Sequence, residues 1–219
     1  MSKFIPILFS TSMVQAILEG RKTMTRRVIK PQPIRHNDVI KMPIPLDEYS
    51  KKIEEYSKKG FKRIGTEGSI SGMLLPEFKY KIGDILWVRE KFRVNQMPTG
   101  FPYHFYTDDD YTDKDNEKWK PSLFMPKAAC RIFLEITNVR VERLAEISPI
   151  DAIKEGIEVE GTNPWYKDYV RNLKFFPFAN PWFSFRSLWI LINGKDSWTL
   201  NPWVWVIEFK RVEKPEGFI

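Results

Sequence analysis

The run Trp203-Val-Trp-Val-Ile-Glu-Phe209 is almost wholly β-branched and aromatic, and it follows Asn201-Pro202, a pair that breaks whatever precedes it. It reads as a strand, the clearest in the chain, and any fold must supply it with partners. Ala129–Leu144 is one candidate. There Ile132, Leu134 and Ile136 alternate with Arg131, Phe133 and Glu135, and Val139 and Val141 then alternate with Arg140 and Glu142. That pattern suits a long bent strand or a strand pair. Phe4–Phe9, the run Ile85–Phe92 after the Gly83-Asp84 turn, and the residues around Tyr103–Tyr106 add further strands. Trp203 and Trp205 share one strand face, and core packing is expected of both.

Short helices fall between these runs. Ser12, with Gln15 at the reciprocal capping-box position, opens the first; Met13, Val14, Ile17 and Leu18 give it a buried face, and Gly20 stops it. Ser148 caps a second, with Pro149 at the first helical position and Asp151 closing the box. Gly156 stops it, so Glu155 lies in the last turn, where a carboxylate works against the helix dipole. Asn180-Pro181 caps a third, which carries Phe185, Leu188, Trp189 and Ile192 at core spacing and ends at Asn193-Gly194. An amphipathic helix is expected over residues 47–59, with Tyr49, Ile53 and Tyr56 on one stripe. Strands and helices alternate irregularly, so the fold class is α+β, and a small closed barrel suits the pattern better than a doubly wound sheet. The expectation is a single domain over residues 1–219 with insertions at about 36–80, 93–127 and 158–185.

The chain has 219 residues, 42% of them hydrophobic, enough to bury a real core. Its net charge of +7 favours an anionic partner, nucleic acid first, over a chain tuned only for solubility. Cys130 is the one cysteine, which excludes an internal disulfide and a cysteine-based metal site. The N-terminal apolar run is too short for a signal peptide and is interrupted by Pro6, and no segment approaches the roughly 18 apolar residues of a membrane span. A soluble cytoplasmic protein is expected, without metal or cofactor. The acid cluster Asp108, Asp109, Asp110, Asp113 and Asp115 lacks the glycine and terminal glutamate of a calcium loop and reads as solvated. There is no Gly-rich phosphate loop, no Gly-x-Ser-x-Gly elbow and no His-Glu-x-x-His. The two histidines, His36 and His104, fall in expected insertions and read as surface residues.

Chemistry is then left to Lys, Thr, Arg and carboxylates, and these gather in residues 17–30. Five cations (Arg21, Lys22, Arg26, Arg27 and Lys30) follow or flank Gly20, with Thr23 and Thr25 among them and no acid between Glu19 and Asp38. Two uses are open. The segment can be a basic turn gripping phosphate. Alternatively, if residues 21–25 turn, Lys22 and Thr25 converge and the lysine can take the hydroxyl proton, provided burial or a neighbouring cation lowers its own affinity for it.

Four segments, in order, resemble ASCH-domain proteins: Gly20-Arg-Lys-Thr-Met-Thr-Arg-Arg27, Gly83-Asp-Ile-Leu-Trp-Val-Arg-Glu90, Ser148-Pro-Ile-Asp-Ala-Ile-Lys-Glu-Gly156 and Trp203-Val-Trp-Val-Ile-Glu-Phe-Lys210. The chain is most similar to the longer, phage- or prophage-encoded ASCH proteins of bacteria, over about Ile7 to Val212. The resemblance implies a PUA-like β-barrel with short surrounding helices and a cleft that binds a nucleoside, a nucleotide or RNA. Arg21, Arg26, Arg27 and Arg89 would be its anion contacts, and Trp87 either stacks a base or packs in the core. Arg89 and Glu90 either line the cleft or form a structural ion pair. A smaller bacterial ASCH protein removes acetyl from N4-acetylcytidine with a Lys, a Thr and a Glu. The matching motifs put those roles on Lys22, Thr25 and Glu155. Thr25 would be the nucleophile, Lys22 its activator or an oxyanion contact, and Glu155 the group that handles the leaving amine's proton. Arg26 departs from the family pattern, which has an apolar residue after the threonine; a phosphate-bearing ligand would explain it. The third possibility is a non-enzymatic phage accessory protein that binds another protein through its aromatic insertions.

Overall fold

A computed structural model describes residues 2–35, 51, 54–64, 73–77, 79–94, 103–105, 119–160, 165–171 and 178–218. In chain order their strands are β1 (Phe4–Leu8), β2 (Met24–Val28), β3 (Ile34–Arg35), β4 (Phe61–Ile64), β5 (Met73–Pro76), β6 (Ile85–Arg89), β7 (Phe92–Val94), β8 (Tyr103–Phe105), β9 (Phe133–Arg143), β10 (Val159–Glu160), β11 (Trp165–Tyr166) and β12 (Trp203–Val212). Helices α1 (Thr11–Leu18), α2 (Pro149–Lys154) and α3 (Pro181–Asn193) accompany them, and residues 54–58 are also helical. The architecture is α+β. None of these helices is long and apolar enough to cross a membrane.

β12 finds partners on both sides, as its composition demands. It pairs antiparallel with β9 along its whole length and with β2 over Val204–Glu208, within a sheet ordered β1-β6-β9-β12-β2. β1 joins β6 in parallel. The β9–β12 register shifts between Glu208 and Phe209, at the point where β12 leaves β2. Such an irregularity bends a strand and increases its twist. β3, β4 and β5, β7 with β8, and β10 with β11 form small separate sheets in or beside the segments expected as insertions.

The sheet is open where a closed barrel was expected. β1 and β2 are its edges, and no backbone pairing joins them among the described residues. A side chain bridges the gap instead: Arg27 Nη2 donates to the Leu8 carbonyl at 2.8 Å.

Three apolar clusters hold these elements. One joins α1 (Val14, Ile17) to Leu86, Val88, Leu134, Ile136, Ile207 and Phe209. On another side of the sheet, Phe133 and Trp87 meet Phe218, their rings 4.7 and 6.1 Å from its own. Phe133 is therefore buried, although alternation placed it on the polar face, because the C-terminal segment covers that face too. The third cluster seats α3, through Phe185 and Trp189, on Met24, Val204 and Val206.

Local differences have local causes. Ser10, not Ser12, caps α1 and accepts from the Met13 amide, because Ser10 is the extended residue just outside the helix. The strand expected to run to Phe92 breaks after Arg89, where the Glu90 amide donates to Met125 Sδ at 3.1 Å rather than to a neighbouring strand. Trp203 and Trp205 are only half-buried, while Val204 and Val206 take the fully buried positions. Ile192 is 51% exposed at the outer end of the α3 stripe. Tyr49, Ile53, Tyr106, His36 and the acid cluster at 108–115 lie outside the described residues, as does the His104 side chain.

Phe133→Ala should cost about 3–5 kcal/mol in urea unfolding. Ile192→Ser should stay within about 0.5 kcal/mol. Comparable losses from the two would contradict the burial assigned to them.

Candidate functional site

Glu155 is the C-cap of α2, and the next residue decides where it sits. Gly156 has φ +87°, and a Cβ added there would lie 2.8 Å from Lys22 Cβ and 3.0 Å from Ala16 Cβ. With no side chain, the end of α2 can press onto the chain between α1 and β2. Backbone bonds then lock the approach: Lys22 N–H donates to the Ala16 carbonyl and Thr23 N–H to the Lys154 carbonyl, both at 2.9 Å. Lys22 and Glu155 also form an isolated antiparallel bridge. Segment 22–25 is thus extended and not a turn, so Lys22 meets Glu155 through this bridge rather than converging on Thr25 by i, i+3 spacing.

The Lys22 side chain is buried, and its ammonium donates to three oxygens: Glu155 Oε2 at 2.8 Å, the Glu155 carbonyl at 2.8 Å and the Met24 carbonyl at 2.9 Å. Three acceptors around one nitrogen define a protonated resting state. Burial nonetheless holds its proton affinity below the ordinary lysine value, with the Glu155 charge opposing and the Arg27 and Arg26 charges adding to the fall. The unfolded chain keeps this proton to higher pH than the folded one. Lys22's contribution to stability is therefore fully present above the ordinary lysine value and is lost as pH falls through the folded midpoint.

Arg26 approaches the other oxygen. Its Nη1 lies 3.2 Å from Glu155 Oε1, and its Nη2 lies 3.1 Å from both Glu142 Oε2 and Asp151 Oδ2. Arg140 pairs with Glu142, Asp151 and Glu208 beyond them. The carboxylate at the helix C-terminus is thus compensated by two buried cations.

Thr25 is buried on β2 opposite Ile207, while Arg26 shares the face of Val206. Because β2 is an edge strand, residues from both of its faces border one cavity of about 260 Å³. Thr25, Arg26, Arg27 and Glu155 form its polar wall. Met13, Phe185, Leu188 and Trp189 form an apolar one, with Lys30 also at its boundary. The Thr25 hydroxyl makes no hydrogen bond to Lys22 or Glu155, and Lys22 stands behind Glu155 rather than on the cavity wall. So Lys22 is brought into contact with Glu155, and Glu155 shares a cavity with Thr25.

The expected anion contacts fare differently. Both terminal nitrogens of Arg26 are taken by carboxylates inside the protein, while its buried Nε has no hydrogen-bond partner among the described residues. Arg27 borders the cavity but is bonded to Leu8 and lies 5.2 Å over the Phe9 ring. Arg21 bonds Glu19 and the Gly156 carbonyl at 2.6 and 2.7 Å. Arg89 stacks 4.9 Å over Trp87, and neither borders the cavity. Trp87 is a core residue, 6% exposed, not an open stacking platform. Glu90 does form an ion pair, but with Arg131, which bonds both of its oxygens at 3.0 Å. Among the described residues no His, Cys, Asp or Glu group could hold a metal.

Sequence reasoning missed Glu142, Asp151 and Arg140 as neighbours of the site, and it read Phe185 and Trp189 as core alone. The i, i+3, i+4 spacing that buries them also presents them to the cavity. Compared with protein-family models, curated proteins and solved structures, the chain matches none.

Gly156→Ala should destabilise by about 2–5 kcal/mol, since it combines left-handed strain with a collision against Lys22. Gly20→Ala, at φ +76° with nothing within 4 Å, should lose only about 1–2 kcal/mol. Equal losses in denaturant unfolding would contradict the close approach.

Proposed function

We propose that the cavity beside β2 takes a nucleoside-sized ligand and that Lys22, Thr25 and Glu155 hydrolyse an amide on it. The substrate class is an acylated cytidine such as N4-acetylcytidine, as the ASCH resemblance implies. The five-stranded sheet, whose edges Arg27 bridges, then corresponds to the PUA-like barrel of that resemblance, left open between β1 and β2. One observation carries the proposal: Lys22 and Glu155, 133 residues apart, meet in a buried pair at 2.8 Å, and Glu155 shares a small cavity with Thr25. The cavity is at the low end of small-ligand sites, sized for one ring-bearing molecule rather than an oligonucleotide. Arg26, the residue that argued for a phosphate, gives its donors to three carboxylates instead, which favours an uncharged nucleoside.

The proton balance runs through the pair. The neutral Lys22 amine takes the Thr25 hydroxyl proton as Oγ1 attacks the acyl carbon. The tetrahedral adduct collapses as that proton passes from Lys22 through Glu155 to the leaving amine, leaving an acyl-Thr25 ester. Lys22 then takes a proton from the water that attacks the ester and gives it to Thr25 Oγ1 as the ester bond breaks, and the net reaction is amide plus water to acid plus amine.

A nucleotide or RNA ligand is the second reading, favoured by Arg27 and exposed Lys30 at the cavity. Its affinity would fall steeply with salt.

Purified protein should release acetate from N4-acetylcytidine, and Thr25→Ala should abolish release while unfolding normally. The rate should climb with pH through a midpoint below the ordinary lysine value of 10.5, because the neutral Lys22 amine is the active form. No turnover across a panel of acylated nucleosides would sink the hydrolytic function.

A further inference from the structure

Arg26 follows Thr25 directly, in a stretch whose charge suggests anion capture. A guanidinium that captures an anion has to present its N–H fork to the ligand. Here the side chain has no exposed surface, and its two terminal nitrogens face Glu155 on one side and Glu142 with Asp151 on the other. The two outer acids come from β9 and α2 and are themselves tied together by Arg140. The planar fork is therefore clamped from behind, with its free arm on the carboxylate that also holds Lys22. Each Glu155 oxygen has its own cation, which stops the carboxylate from turning away from Lys22.

We infer that Arg26 is a positioning residue: anchored by Glu142 and Asp151, it fixes the Glu155 carboxylate against Lys22 and sets a second cation beside the Lys22 amine. The inference rests on the hydrolytic function proposed above. A lysine at this position would keep the charge but could not bridge three carboxylates, because an ammonium lacks the planar fork. The groups acting on Lys22 are Glu155 from the end of α2 and Arg26 and Arg27 from β2, with the Phe9 ring 5.7 Å from its nitrogen. Of these only Glu155 favours the protonated amine against burial. Removing Arg26 takes away one opposing cation and leaves Glu155 to pair with Lys22 alone. Both changes make Lys22 hold its proton to higher pH, where it serves less well as a base.

The test follows Lys22 by NMR in protein carrying ¹³C-labelled lysine, with Lys22→Arg assigning the resonance, alongside steady-state hydrolysis of N4-acetylcytidine. Arg26→Met should move the Lys22 titration to higher pH and shift the rate profile with it. Arg26→Lys should leave the titration near that of the unmodified protein but lower kcat by roughly tenfold or more, with KM little changed, since the carboxylate is no longer held. A Lys22 titration that stays put or moves down in Arg26→Met overturns the inference. So does an Arg26→Lys variant with full kcat, which decides the matter if Arg26→Met fails to fold. Absence of turnover in the unmodified protein would overturn the hydrolytic function instead, and the titration would still decide whether Arg26 acts on Lys22.

Discussion

One carboxylate organises the site. Glu155 is 5% exposed and is gripped at separate oxygens by two buried cations from β2 and the segment before it. Burying such charges is expensive: the effective desolvation penalty is several kcal/mol per ion, and apolar residues of similar volume often serve stability as well or better. Losing one partner is worse, because it leaves a charge in a dry interior. The pair is therefore poor at explaining stability and well suited to explaining chemistry, where a dry, preorganised proton donor and acceptor are required.

Much of the surrounding fold serves that contact. Gly156 permits the approach, Ser148 and Pro149 start α2 so that its last turn ends at Glu155, and the backbone bonds of Lys22 and Thr23 hold the segment extended. β2 lies at a sheet edge, so Thr25 and Arg26 can reach the same cavity from opposite faces. α3 closes the cavity with the aromatic stripe that also seats it on the sheet.

What was legible in the sequence was what is written locally. The caps at Ser148 and Asn180, the stops at Gly20 and Gly156 and the strand at Trp203–Phe209 all depend on neighbours within a few residues. What misled depended on distant partners. Phe133 sits at a polar-face position, but a C-terminal phenylalanine covers it. Arg26 belongs to a basic run that looks solvated, yet its acids come from 116, 125 and 129 residues away. The meeting of Lys22 with Glu155 was expected only from motif resemblance. Its cause, a glycine whose missing side chain lets two segments touch, lies outside any helical or strand periodicity. Whether β1 and β2 pair is likewise a matter of sheet curvature, which no single strand encodes.

A Thr25 nucleophile served by the Lys22–Glu155 pair, as proposed, passes through an acyl form that can be caught. Protein mixed with excess N4-acetylcytidine and quenched in acid within a turnover should carry one acetyl group, located by peptide mass spectrometry on Thr25. The label should vanish as substrate is exhausted. Turnover without acetylation of Thr25, or acetyl found on another side chain, would rule out Thr25 as the nucleophile.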